Sequence, residues 1–117
     1  MFKKVRITAP SISLIEKTTI IKGDINSESN LRIDGEVEGN ITIKGKLILG
    51  ESSKTSGILN ASEIEIYGKT EGTIKALKMI SLHEKAIVNG PVFTKQLMVK
   101  SGCVVNGKLT IGENNLK

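Results

Sequence analysis

The sequence predicts an all-β fold: a right-handed, three-sided parallel β-helix (a β-solenoid) of about six coils. Three observations predict it. A unit of about 17 residues recurs six times along the chain. Within each unit, residues of like size and branching fall at like positions. Aromatic residues make up only 3% of the 117 residues and Trp is absent, so the core must be built from aliphatic side chains on many short elements.

The unit is plainest in Leu31–Ile43 (LRIDGEVEGNITI), where apolar or small residues alternate with polar ones, as in a strand buried on one face. Related stretches are Ile64–Ala76, Ile80–Thr94 and Leu97–Ile111. One column of the alignment is Gly23, Gly39, Gly57, Gly72, Gly90 and Gly107. Two residues after each stand Ile25, Ile41, Leu59, Ile74, Val92 and Leu109. Two residues before each stand the β-branched Ile21, Val37, Thr55, Thr70, Val88 and Val105. Four before each stand the small residues Thr19, Gly35, Ser53, Gly68, Ala86 and Cys103. A further column, Ile15, Ile33, Leu49, Ile66, Leu82 and Val99, leads into the units at spacings of 18, 16, 17, 16 and 17, and Ser13, Leu31, Leu47, Ile64, Ile80 and Leu97 precede it by two.

A unit this short cannot hold a helical hairpin or a propeller blade, but it holds one solenoid coil of three short strands separated by bends. Each strand then stacks on its equivalent in the next coil, roughly 4.8 Å away, so that columns become internal ladders and six coils form a rod of about 30 Å. The glycine column marks a bend that needs positive φ or a close backbone approach. The period wanders between 16 and 18 without regular hexads, which predicts right-handed winding in place of a left-handed hexapeptide helix.

In order, residues 1–12 form an extended N-terminal tail. The β-helix domain occupies 13–111, with coils at about 13–29, 31–45, 47–61, 64–77, 80–94 and 97–111, and residues 112–117 are a short polar tail. No run of 18 apolar residues occurs, and the basic start MFKKVR is not followed by an apolar segment, so a cytoplasmic protein is expected. A single Cys fits a reducing compartment.

The net charge of +5 is spread among mixed Lys and Glu, and no aromatic platform accompanies it, so no nucleic-acid partner is expected. No catalytic residue, metal ligand set or cofactor site is found, and no phosphate-binding loop. The single histidine, His83, reads as a solvated loop residue. An acyltransferase of the hexapeptide type would use such a His as a base between subunits, which is the enzymatic alternative. Cys103 reads as a small core residue.

The ends of the rod carry the functional signal. A solenoid that stays monomeric covers its end coils, and no cap is visible at either end: before coil one there is room only for a short extended lead such as Val5–Ile7. Ile15, Ile21 and Ile25 would face out at the N-terminal end, and Val99, Val105, Leu109 and Ile111 at the C-terminal end. An uncapped stack of like columns is a template for its own copy, so an end-to-end homopolymer is expected. A rod that binds a partner without polymerising is the other alternative. Ile87 and Val104 fall on neighbouring outward positions and could make a lateral contact. At the start, Phe2 would insert at the headgroup level of a membrane while Lys3, Lys4 and Arg6 meet anionic lipid.

The segments LRIDGEVEGNI (31–41), ILGESSKTSGILNA (48–61), IEIYGKTEGTI (64–74) and VNGPV (88–92) resemble those of the bactofilins, bacterial polymer-forming cytoskeletal proteins. The resemblance implies a polymer that forms without nucleotide and joins like ends, so that the filament lacks polarity. It further implies a scaffold, peripherally associated with the inner membrane, for cell-wall enzymes, cell shape, stalks or motility machinery. Met1, Phe2, Lys3 and Lys4 match the short membrane-targeting peptide with which relatives often begin. Many relatives carry Phe at the C-terminal contact, where this chain has Val105, and Pro-rich tails that this chain largely lacks.

Overall fold

The computed structural model describes residues 13–112 and the backbone of residues 5–7. The β-branched, alternating segments form short strands, and every pairing between described strands is parallel. They stack into three faces. The first contains β2 (Ser13–Ile15), β5 (Leu31–Ile33) and β8 (Lys46–Leu49). It continues in the second halves of β10 (Leu59–Ile66), β12 (Ile74–Leu82) and β14 (Val92–Val99). The second face is β3 (Ile20–Lys22), β6 (Glu36–Glu38), β9 (Lys54–Ser56), β11 (Lys69–Glu71), β13 (Ile87–Asn89) and β15 (Val104–Asn106). The third is β1 (Val5–Ile7), β4 (Ile25–Ser27), β7 (Ile41–Ile43), the first halves of β10, β12 and β14, and β16 (Leu109–Ile111). This is the parallel β-solenoid of about six coils that the repeat predicts, and its longest dimension is 32 Å.

Like stacks on like because the parallel register is unshifted within each face. Leu31 pairs with Leu47, Leu47 with Ile64, Ile64 with Ile80 and Ile80 with Leu97. On the second face the order is Val37, Thr55, Thr70, Val88, Val105. On the third it is Ile25, Ile41, Leu59, Ile74, Val92, Leu109. These ladders fill one continuous core, in which Leu31, Ile33, Leu47, Leu49, Ile66 and Leu82 are completely buried. The structure adds a sixth inward column, Ser27, Ile43, Ala61, Ala76, Thr94 and Ile111. Its mix of Ser, Ala, Thr and Ile hides it from an alignment that looks for one residue class.

The glycine column lies at the corner between the second and third faces. Gly72 has φ +110, and a Cβ there would run into the carbonyl oxygen of Gly57 one coil below. Both reasons for glycine hold together: the left-handed backbone, and a backbone approach that leaves no room for a side chain. The opposite corner, where the third face turns into the first, is irregular. β10, β12 and β14 run straight through it, and the register slips where Ala76–Met79 holds one residue more than the facing segments.

Candidate functional site at the two ends of the rod

Among the described residues, the ladders stop at the C-terminal end without a cover. Leu82 is completely buried, whereas Val99, its partner in the last coil, is 54% exposed. Val92 is 1% exposed and Leu109 41%; Thr94 is 0% exposed and Ile111 54%. Val105 and Cys103 are half-buried and pack against the core from the same end. The side chains that point inward in every earlier coil therefore form an apolar end face, ringed by the edges of β15, β16 and the second half of β14, which no described strand pairs. Val99, Val105, Leu109 and Ile111 are brought together there. Cys103 shares this half-covered end instead of a sealed core position.

The N-terminal end is different, and here the expectation of a bare end is corrected. β1 pairs with β4 in the register Val5–Ile25, Arg6–Asn26 and Ile7–Ser27, adding a rung to the third face. Among the described strands, β2 pairs only with β5, and β3 only with β6, on their own faces. Ile25 is thus completely buried and its strand edge is taken, so on this face the end is carried one rung outward by residues 5–7. Ile15 is also buried, and Ile21 is half-buried against the core. Among the described residues the third face thus has one rung more than the other two, and β1 places that extra rung at the N-terminal end. Met1, Phe2, Lys3 and Lys4 lie outside the described residues.

On the flanks, Ile87 and Val104 are register partners on the second face, Ile87 half-buried and Val104 exposed. On the first face, Lys46 pairs with Glu65, Tyr67 donates a 3.3 Å hydrogen bond to Glu65, and the rings of Tyr67 and His83 stack at 4.0 Å. His83 is therefore not a solvated loop residue: its side chain is only 14% exposed, with Nε2 3.5 Å from the Glu65 carboxylate. The ladder pairing Ile66–Leu82 sets the next residues, Tyr67 and His83, over one another. The Lys46 ammonium, by its hydrogen bond, holds the Glu65 carboxyl below its ordinary value, and Glu65 in turn raises Lys46. Burial, chiefly, pushes the Tyr67 phenol up. The cluster ties three successive coils together on their outer surface.

These features match known proteins throughout their length. The family model described as "Bactofilin: Polymer-forming cytoskeletal" matches residues 13–110. Bactofilin BacO of Myxococcus xanthus (strain DK1622) is 25% identical over 104 residues, covering 89% of this chain and 82% of the relative. A bactofilin of Thermus thermophilus, solved in double helical filaments by electron cryo-microscopy, superposes with a TM-score of 0.82 at 27% identity. That match covers 86% of this chain and 99% of the other. With a parallel β-solenoid open at its last coil and a family model matching nearly all of it, this chain belongs to the bactofilin family of polymer-forming cytoskeletal proteins.

Proposed function

We propose that the chain is a scaffold that assembles end to end, without nucleotide, into non-polar filaments at the inner face of the bacterial membrane. There the filaments support cell shape, cell-wall enzyme placement or motility machinery. The observation that carries this reading is the C-terminal end face, where Val99, Leu109 and Ile111 stand exposed on open strand edges. Such a face is stable in water only when another surface covers it, and the surface that best matches it is another copy of itself.

The difference between the ends supports like-to-like joining. A C-terminal end meeting the N-terminal end would set β16 against β1 and leave the edges of β2 and β3 a rung short of a partner. Two C-terminal ends can close on each other about a two-fold axis, and two N-terminal ends can do the same, with Ile15, Ile21 and β1 at that contact. Val105 takes part in the C-terminal contact with Val99, Leu109 and Ile111. Ile87 and Val104 serve as a lateral contact between filaments. Met1, Phe2, Lys3 and Lys4 are the membrane foot of a protein that is otherwise cytoplasmic and peripheral.

Negative-stain microscopy of the purified chain without nucleotide tests the reading. Filaments are expected, and Leu109→Arg or Val105→Arg should leave short soluble species. Filaments that persist in both variants would remove the C-terminal face from the contact.

A further inference from the structure

The most exposed large apolar side chain among the described residues is not at either end. It is Leu77, 63% exposed, at the corner between the third and first faces. It stands there because the segment Ala76–Met79 is one residue longer at this corner than its neighbours, so the chain bulges outward and lifts Leu77 off the surface. Beneath it runs an open groove of about 580 Å³, with Thr42 and Asn60 along it and only the edges of the buried Ile43, Ala61 and Ala76 reaching it.

The rim of this groove has one sign of charge. Lys44 and Lys75 line it. Lys78 follows Leu77 in the bulge, and Lys95 lies opposite the bulge on the next coil, between the paired positions Thr94 and Gln96. All four are exposed, and no acidic side chain lines the groove. Lys75 leans over the Phe93 ring at 6.0 Å from its centre, adding an aromatic surface to the same edge. The nearest acid in register, Glu63, is beside Met79 on the first face, where it acts on Lys46.

We propose that this corner is a second lipid-binding edge, in which Leu77 inserts into the headgroup region of an anionic bilayer while Lys44, Lys75 and Lys78 meet the lipid phosphates. The proposal rests on the reading of the chain as a membrane-associated polymer and deepens it by placing a contact on the β-helix body. Charge complementarity selects the occupant. A protruding aliphatic side chain ringed by lysines matches an apolar interior beneath a negative surface. A second copy of the same corner would set lysine against lysine, and the second face sets Glu36, Glu38 and Glu71 among Lys22, Lys54 and Lys69, a surface of mixed charge that does not match a purely basic rim.

Co-sedimentation of the full-length protein with phosphatidylglycerol-containing vesicles, at low salt, tests it. Lys44→Glu/Lys75→Glu/Lys78→Glu should lower partition more than tenfold, since each basic residue near such a surface contributes about a fivefold factor. Leu77→Ser should lower it several-fold, with circular dichroism and filaments unchanged. The chain has no Trp, so Leu77→Trp supplies a direct probe: its emission should shift to the blue on anionic vesicles and be quenched by brominated lipid. If the wild type binds vesicles while the charge-reversed and serine variants bind as well as it does and the indole stays in water, the corner proposal fails and the membrane reading stands. If the wild type binds no vesicles, both fail. Altered filament pairing with unchanged vesicle binding would make the corner a lateral protein contact and overturn the proposal.

Discussion

Leu82 and Val99 are register partners on adjacent coils of the first face, yet Leu82 is completely buried and Val99 is more than half exposed. Position in the stack, and not residue type, makes the difference. The same substitution should therefore have opposite consequences at the two sites. Leu82→Glu places a carboxylate in the sealed core and should unfold the domain, at a cost above about 4 kcal/mol. Val99→Glu should leave the circular dichroism spectrum and urea midpoint near those of the unassembled wild type and abolish filaments in sedimentation. A Val99→Glu protein that still forms filaments would show that Val99 lies off the contact.

The corner glycines give a second paired test. Gly72 and Gly112 both have positive φ, but a Cβ at Gly72 meets the Gly57 carbonyl while one at Gly112 meets nothing. Alanine at Gly112 should cost only the backbone strain, about 1–2 kcal/mol. Alanine at Gly72 should cost clearly more, since two backbones must part in the middle of the stack. Equal urea midpoints for the two variants would mean that the coils separate freely at this corner.

What the sequence made legible follows from the same stacking. Gly72, Thr70 and Ile74 recur in kind at each coil because a parallel ladder sets equivalent residues in contact, and that repetition can be read without coordinates. The exposure of the last-coil side chains was legible too, because Val99, Val105 and Leu109 are the last members of three inward columns. The extended lead Val5–Ile7 could be read as well, but its pairing with β4 could not, since it has no glycine corner of its own to announce a coil. The Tyr67–His83 stack lies outside the inward columns and depends on two unlike residues meeting across one rung. Leu77 was missed because a one-residue insertion at a corner is absorbed as a spacing irregularity, and only the register shows which way the extra side chain points.

The second face carries a defect that should be correctable. Thr55 and Thr70 are stacked partners in the core, and their hydroxyls are buried without a hydrogen-bond partner. Valine has nearly the same shape and no polar group to desolvate. Thr55→Val and Thr70→Val should each stabilise the fold by about 1 kcal/mol, read as a higher urea midpoint in the Val99→Glu background, where assembly does not intrude. A loss of stability in both would mean that these hydroxyls are satisfied within the ladder.

Acid should weaken the outer surface of the first face through Glu65. Its carboxyl is held below the ordinary value of 4.5, first by the Lys46 hydrogen bond and against the opposing effect of burial. Because the folded value lies below the unfolded one, the stabilisation is fully present above pH about 4.5 and is lost as the pH falls through the depressed folded value. Lys46 is partly exposed, so Lys46→Met should cost less than about 1 kcal/mol at neutral pH. That difference should shrink toward zero at low pH, where Glu65 is protonated in both proteins. Urea titrations of the two chains at pH about 7, 5 and 3, again in the Val99→Glu background, measure it. A gap between them that persists unchanged at the lowest pH would mean that Lys46 stabilises the coils by packing its aliphatic stem and not by its charge on Glu65.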